Sequence, residues 1–266
     1  MRALLAFLSD FGLEDPYVGV VKAVLLGINP DLRIVDLCHQ IPAHNIMAGA
    51  FALGSSYREF APGTVFLAVV DPGVGSARAG LVAVTERYAF VAPDNGLLGL
   101  VLRDCPETVC YRIEAPRYWR YPVSRTFHAR DIFAPVAAQV SLGLAPGELG
   151  PVHRNPVGLA FPEPFADADG LTGEVVHIDR FGNLVTNLDV RTMRRVLGVE
   201  RGTVRIRGVE LPVLDTYAQA GEGQPLALVG SSGFLEVSVN KGNASRVLKA
   251  GKGEPVSLRR GQEFRA

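Results

Sequence analysis

The sequence predicts two joined folds: an α/β domain with a mostly parallel sheet, then a smaller all-β, barrel-like domain. Strand-length apolar runs alternate with helical patterns through the first half, the mark of parallel βαβ units with right-handed crossovers. A stretch rich in Pro and Gly, without sustained period, follows from about Gly143 to Gly170. Beyond it the segments are short, strand-like and closely punctuated by turn residues, as in a small barrel or sandwich. We divide the chain into an α/β domain over 1–150, a linker over 151–170 and a β-barrel domain over 171–266.

The elements follow in order. "ALLAFL" is a buried strand that ends at Ser9 and Asp10, and "YVGVVKAVLLGI" is a helix closed by "NP". "RIVDL" is the second strand. "NIMAGAFALGSSYREF" is a helix with Asn45 placed to cap it. "TVFLAVV" is a third buried strand, ending at Asp71. "GLVAVT" and "YAFVA", split by Glu86 and Arg87, form a hairpin. "RDIFAPVAAQVSLG" is a helix with Pro135 in its first turn or at a kink. The barrel strands are "GEVVHID", "NLVTNL", "TVRIRG", "PLALVG", "FLEVSVN" and "PVSLRR".

Composition narrows the function classes. Of 266 residues, 48% are hydrophobic and 20% charged, so a packed core is expected. The formal net charge of zero removes the usual electrostatic case for nucleic acid or an anionic membrane as partner. The opening "MRALLAFLSDFG" lacks the long apolar region and small-residue cleavage site of a signal peptide, and no apolar run reaches the length of a membrane span. The expectation is a cytoplasmic protein. Cys38, Cys105 and Cys110 show neither zinc spacing nor a disulfide framework.

Polar clusters sit where apolar runs end, and ends of parallel strands are where open α/β sheets bind ligands. "SDFGLEDPY" carries Asp10, Phe11, Asp15 and Tyr17; "VVDPGVGSAR" carries Asp71 and Arg78; "APDNGLLG" carries Asp94 and Asn95; "RTFHARDIFAP" carries His128 at a helix entrance. Taken singly, each has a plain structural reading. Asp71-Pro72-Gly73 is an ordinary turn, Asp131 a first-turn acid matched to the helix dipole, and His128 a partly buried structural histidine. In the second half, Asp179, Phe181 and Asn183 stand between two strands, and "GSSGFLEVSVNKGNAS" carries Ser231, Ser232, Asn240 and Lys241; the plain reading of both is turn chemistry. "DPGVGSARAG" fits neither the phosphate-loop nor the dinucleotide pattern. Asp10, Asp15, His39, His44, Asp71 and His128 are candidate metal ligands without strong metal spacing. No metal and no cofactor are therefore expected.

In order, "SDFG", "DPGVG", "PDNG", "FHARDIFAP", "IDRFGNLVTN" and "GSSGFLEVSVNKGNA" resemble the S-adenosyl-L-methionine hydroxide adenosyltransferases, relatives of the bacterial fluorinase and chlorinase, over essentially the whole chain. The resemblance implies cleavage of S-adenosyl-L-methionine by water into adenosine and L-methionine. It also implies a homotrimer whose site lies between one subunit's α/β domain and its neighbour's barrel. Asp10 matches the carboxylate that binds both ribose hydroxyls, and Asp71, Arg78 and His128 match the water-activating trio. Asp15 and Tyr17 fall where the halogenases contact methionine, and His44 where they place a tryptophan. Asp179 matches the carboxylate for the methionine ammonium, and Phe181 and Asn183 the adenine pocket. Ser231, Ser232, Asn240 and Lys241 match the loops that close over methionine and adenine. The chain departs from the pattern at Ser232, where the halogenases carry an arginine for the methionine carboxylate, and at Ala129, where glycine is usual in the hydroxide-using branch.

The resemblance implies a chemistry in which the sulfonium activates C5′ and leaves as a neutral thioether. Arg78 stays protonated and serves to hold Asp71 ionised, which makes His128 the expected proton acceptor or relay. A halide-using relative is disfavoured, because Val74 and Ala129 stand where the fluorinase has hydroxyl side chains. A non-catalytic adenosine or S-adenosylmethionine binder has no need of the trio. A metal-dependent nucleotide phosphatase remains the reading from a separate class.

Overall fold

The computed structural model describes residues 3–167, 170–198 and 202–260. They form two compact units, Met1–Phe161 and Pro162–Ala266. The first contains strand β1 (Leu4–Ser9), helix α1 (Tyr17–Ile28), β2 (Arg33–Cys38), α2 (Ile46–Gly54), β3 (Val65–Val69), β4 (Gly80–Val84), β5 (Ala89–Pro93), α3 (Gly99–Asp104), β6 (Val109–Arg112) and α4 (Ala134–Ser141). A π-helical turn, Ala129–Phe133, leads into α4 and places Pro135 in that helix's first turn, where its missing N–H costs nothing.

The sheet order is β2-β1-β3-β5-β4-β6, with β2, β1, β3 and β5 parallel and the hairpin strand β4 antiparallel to both its neighbours. Side chains alternate across a strand, and β1 divides its residues accordingly. Leu5 and Phe7 pack with Val21 and Leu25 of α1 and Val136 of α4, whereas Ala6 and Leu8 pack with Leu53 of α2 and with Leu97, Leu98 and Val101 at α3 on the other face. Cover on both faces explains why the central strands read as unbroken apolar runs. Ser9 pairs in register with Val69, so β1 and β3 end level and release Asp10 and Asp71 at the same edge of the sheet. Asn45 caps α2 by accepting from Ala48 N at 2.9 Å.

The second unit contains β7 (Phe165–Ala166), β8 (Gly170–Ile178), β9 (Leu184–Asp189), α5 (Val190–Leu197), β10 (Gly202–Ile206), β11 (Val209–Leu214), β12 (Pro225–Val229), β13 (Phe234–Val239), α6 (Ala244–Val247) and β14 (Pro255–Arg260). The order β14-β10-β11-β12-β13-β9-β8 closes through a β14–β8 pairing, which makes a seven-stranded barrel with β7 laid outside β8. Closure removes the exposed sheet edge, and inward residues such as Leu171, Leu184, Val204, Leu235, Val237 and Leu258 fill the interior.

Some elements depart from the sequence reading. The stretch expected as a linker is divided. Residues 151–161 lie along the α/β unit, with His153 N donating to Cys110 O at 2.8 Å and Leu159 seated against Gly99. A Pro-rich strip has few N–H groups for a sheet, so its order comes from such outside anchors. Helix α5 is absent from the elements read in the sequence, although its apolar and charged residues are strongly segregated, with Met193 and Leu197 buried on one face; its ends are marked by Asp189, which accepts from Arg191 N and Thr192 N at 2.9 Å, and by left-handed Gly198. Asp131 is not a surface dipole acid. It is fully buried and fastens Arg120, Arg130 and Ser124 N around one carboxylate. Burial alone would raise its pKa, but these partners hold it below the usual carboxylate value. Cys38, Cys105 and Cys110 are free thiols, and burial pushes that of Cys110 up to about 11.

Candidate active site

Four segments meet at one end of the parallel strands: the loops after β1, β2 and β3, and the entrance to the π-helical turn. Between them lies a cavity of about 240 Å³ lined by Asp10, Phe11, Tyr17, His44, Asp71 and His128, with Val69, Val74, Phe127 and Ala129 among its apolar surfaces. The crevice expected from the topology is therefore present, with the loops after three strands and one helix entrance contributing. Asp15 is not among its lining residues. Asp94 and Asn95 are not either. Asp94 accepts from His153 Nε2 at 2.9 Å and Val157 N at 2.7 Å, and Asn95 donates to Val70 O at 2.8 Å, so this pair ties down the chain behind the site.

Asp10 is positioned from both sides. His44, in a left-handed backbone conformation (φ 65°), donates its N–H to Asp10 Oδ2 at 2.8 Å. Behind the loop, Gly12 N donates to His39 O at 2.7 Å. The buried His39 ring bridges Ser9 Oγ at 2.7 Å and Asp36 Oδ1 at 3.0 Å. Burial keeps the pKa of His39 down against the pull of Asp36. The neutral ring gives its one N–H, on Nε2, to the Asp36 carboxylate, so Ser9 Oγ–H donates to Nδ1. Phe127 packs edge to face on both Phe11 and Tyr17, which are tilted to each other, and the three rings, with centroids 5.3 to 6.0 Å apart, make one aromatic wall.

The loop after β3 turns back so that Arg78 faces Asp71. Gly75 lies in the left-handed region, and a Cβ there would come within 2.4 Å of Arg125 O. Arg78 grips Asp71 with two donors, Nε to Oδ1 at 2.9 Å and a terminal nitrogen to Oδ2. Their side chains are only 12% and 6% exposed, so this is a desolvated, fork-to-fork pair. The guanidinium also lies 5.0 Å from the centre of the Phe133 ring. The same terminal nitrogen stands 3.0 Å from His128 Nδ1. A guanidinium has no lone pair to offer, so Nδ1 accepts. Burial, then the Arg78 charge, lower the pKa of His128 against the weaker pull of Asp71 and Asp131. The ring is neutral, with its proton on Nε2.

In the barrel unit, Asp179 organises the turn between β8 and β9. Its Oδ1 accepts from Phe181 N and Asn183 N, and its Oδ2 from Asn183 Nδ2, each at 2.9 Å. Phe181 is left 74% exposed. Gly182 (φ +88°) lets the turn press on Asn243, whose side chain a Cβ would meet at 2.2 Å. Asn240 Nδ2 donates to Ala220 O at 2.8 Å, and Lys241 pairs with Glu222 at 2.8 Å on the surface. Ser231 and Ser232 follow Gly230, which abuts Glu236. Glu236 is buried, accepts from Tyr217 Oη and Ser238 Oγ, and has a pKa raised by burial. Tyr217 is pushed up to about 12 by burial and by that carboxylate. The sequence reading passed over Phe127, Tyr217 and Glu236. Phe127 and Glu236 lie inside quoted motifs, but Tyr217 does not, and Glu236 and Tyr217 become site candidates only when the pairing of β13 with β9 brings them near the Asp179 turn.

Among the described residues, no helix is long and apolar enough to cross a membrane, and no group of three or more His, Cys, Asp or Glu side chains is placed to hold a metal ion.

Comparison with known proteins gives one family. Residues 5–150 match the model of the SAM hydroxide adenosyltransferase N-terminal domain and residues 173–257 that of the C-terminal domain. A protein of Thermus thermophilus named (R)-S-adenosyl-L-methionine hydrolase is 44% identical over 260 residues, 95% of this chain and 98% of its own length. A fluorinase of Nocardia brasiliensis is 32% identical over 274 residues, covering 90% of this chain and 91% of its own. The crystal structure of an uncharacterized conserved protein from Thermotoga maritima superposes with a TM-score of 0.90 at 36% identity, over 96% of this chain and 100% of that one. Both of its domains thus place this chain in the SAM hydroxide adenosyltransferase family.

Proposed function

We propose that the protein hydrolyses S-adenosyl-L-methionine to adenosine and L-methionine by in-line attack of water on C5′, and that Asp71, Arg78 and His128 prepare the water. The observation that carries this reading is the desolvated Asp71–Arg78–His128 network on the wall of the same cavity that holds Asp10. A pure binder gains nothing from such a network, since isolating a charge pair from water is costly unless it is used or fully compensated.

Asp10 receives the ribose diol. One of its oxygens already accepts from His44 N, and a carboxylate has about four acceptor sites, enough for two hydroxyls as well. The aromatic wall of Phe11, Tyr17 and Phe127 flanks the nucleoside. As the C5′–S bond breaks, its electron pair stays on sulfur, and positive charge moves from sulfur to the attacking oxygen. Arg78 uses one site on each Asp71 oxygen, which leaves sites free to accept from the water. Asp71 then sits beside the oxygen that becomes positive. His128, expected from sequence to take the proton, has its Nδ1 engaged by Arg78. We assign it the role of an Nε2–H donor that fixes the water's lone pair. The proton passes to solvent, so water and sulfonium give alcohol, thioether and one proton.

Asp179, Phe181, Asn183, Ser231, Ser232, Asn240 and Lys241 are proposed to bind methionine and adenine from the barrel of a neighbouring subunit in a homotrimer. Asp94 and Asn95 act through the chain they anchor. A halide nucleophile is disfavoured because Val74 and Ala129 of the cavity wall offer no hydroxyl, and Thr126 Oγ1 is shared with Ser124 Oγ at 3.3 Å. No metal enters this mechanism.

The test is turnover of S-adenosyl-L-methionine in oxygen-18 water. Adenosine carrying the label at O5′, with equimolar methionine and no loss on adding chelator, is expected. Chelator-sensitive release of phosphate from nucleotides, or a 5′-halogenated product when chloride is supplied, would replace this reading.

A further inference from the structure

Behind the trio lies a second cavity, of about 200 Å³. Arg78 and His128 line it together with Ala79, Arg112, Glu114 and Trp119. Asp71 and His128 line the substrate cavity. The His128 ring therefore separates the two chambers by itself, and beside it the wall is the Asp71–Arg78 pair, with Asp71 facing the front and Arg78 the rear. On the far side, Arg112 and Glu114 stand 2.8 Å apart as an ion pair with side chains 41% and 47% exposed, which sets the mouth of this second chamber at the solvent. Trp119, also on its lining, has a buried indole N–H with no acceptor among the described residues. The chamber also has apolar walls in Ile113, Ile132 and Phe133, but its charged groups and spare donor give several waters polar partners, and it has room for them.

We infer that this rear chamber supplies the nucleophile: water reaches C5′ through the trio, from the side opposite the substrate, and the released proton leaves by the same path. The inference rests on the proposed hydrolysis. In-line displacement places the entering oxygen opposite the departing sulfur, and substrate seated on Asp10 fills the 240 Å³ front cavity. Each turnover consumes one water. A supply from behind replaces it while the front stays closed, so the reacting centre remains dry on the sulfonium side.

The test blocks the chamber reversibly while keeping the three side chains of the trio; the Ala79 carbonyl, which accepts from Arg78 Nη1 at 3.4 Å, is retained in the variant. Ala79→Cys adds one sulfur atom to the chamber lining, and its turnover before treatment reports that the variant folds. Propyl methanethiosulfonate then fills the chamber with a mixed disulfide that dithiothreitol removes; wild type treated identically controls for Cys38, Cys105 and Cys110. Single-turnover rate is expected to fall on the order of 10²-fold on labelling and to return on reduction. Calorimetric affinity for S-adenosyl-L-methionine and the ¹⁵N signals of the His128 ring should stay as before. Trp119→Phe, which removes the N–H and keeps the shape, should slow turnover without changing KM. An unchanged rate in the labelled variant overturns the route. So does a loss accompanied by altered His128 signals or weakened binding, which would mean a displaced wall. Wild-type protein that forms no adenosine fails the functional reading itself and takes the route with it, whereas wild-type turnover with an indifferent block fails the route alone.

Discussion

The two polar centres of this molecule are built in opposite ways. At the sheet edge, Arg78 binds Asp71 seven residues away and His128 fifty residues away, and His44 holds Asp10 across thirty-four. At the barrel, Asp179 binds residues two and four positions on, within its own turn. The sheet-edge centre is a desolvated network whose members depend on distant elements. The barrel centre is a solvent-facing turn that holds its own shape. The first arrangement suits chemistry, where a group must stay in one place and protonation state. The second suits recognition by exposed groups such as Phe181.

The largest effect should come from breaking the desolvated pair. Arg78→Met leaves Asp71 buried and unpaired, and removal of one partner from such a pair costs about 3–5 kcal/mol. A fall in the denaturation midpoint together with loss of turnover by 10²-fold or more, of the order of a catalytic proton-handling group, is expected. A variant as stable as wild type would show that water already satisfies Asp71. Asp71→Asn separates the roles: turnover should fall while affinity for substrate holds.

A smaller effect distinguishes the barrel. Asp179→Ala removes three short-range hydrogen bonds at about 1 kcal/mol net each, partly recovered by water, so stability should drop modestly and substrate affinity strongly. If the two centres meet between subunits, mixing Asp71→Ala with Asp179→Ala protein should restore some turnover, since some interfaces would pair an intact sheet edge with an intact turn. Mixed oligomers that stay inactive, with exchange verified by mass, would place both centres in one subunit's site.

The smallest effect is in pH. The folded pKa of His128 is lowered below 6.5, as are those of His39 and His177. The unfolded chain therefore takes up protons first as pH falls. Stability should decline from about pH 6.5 downward and level off below the folded values, with no contribution above. Turnover should hold through pH 6.5 and fail only lower, when a proton on Nδ1 would face Arg78. An acid limb centred at or above 6.5, tracked beside the His128 ¹⁵N shift, would mean that the protonated ring is the working form.

The division into α/β and barrel units, the main strands and the motif residues were legible in the sequence because they depend on local signals: apolar runs, turn residues and caps such as Asn45. The barrel turn was legible in detail for the same reason, as its partners lie within four residues. What tertiary structure alone decided lies across distance. The level ends of β1 and β3 bring Asp10 and Asp71 to one cavity. The fold sends Asp94 and Asn95 to anchor backbone instead, and buries Asp131 among two arginines. His128 carries its proton on Nε2 because Arg78, fifty residues earlier, occupies its other nitrogen. Protonation and tautomer depend on burial and on neighbouring charge, and neither quantity exists until the chain has folded.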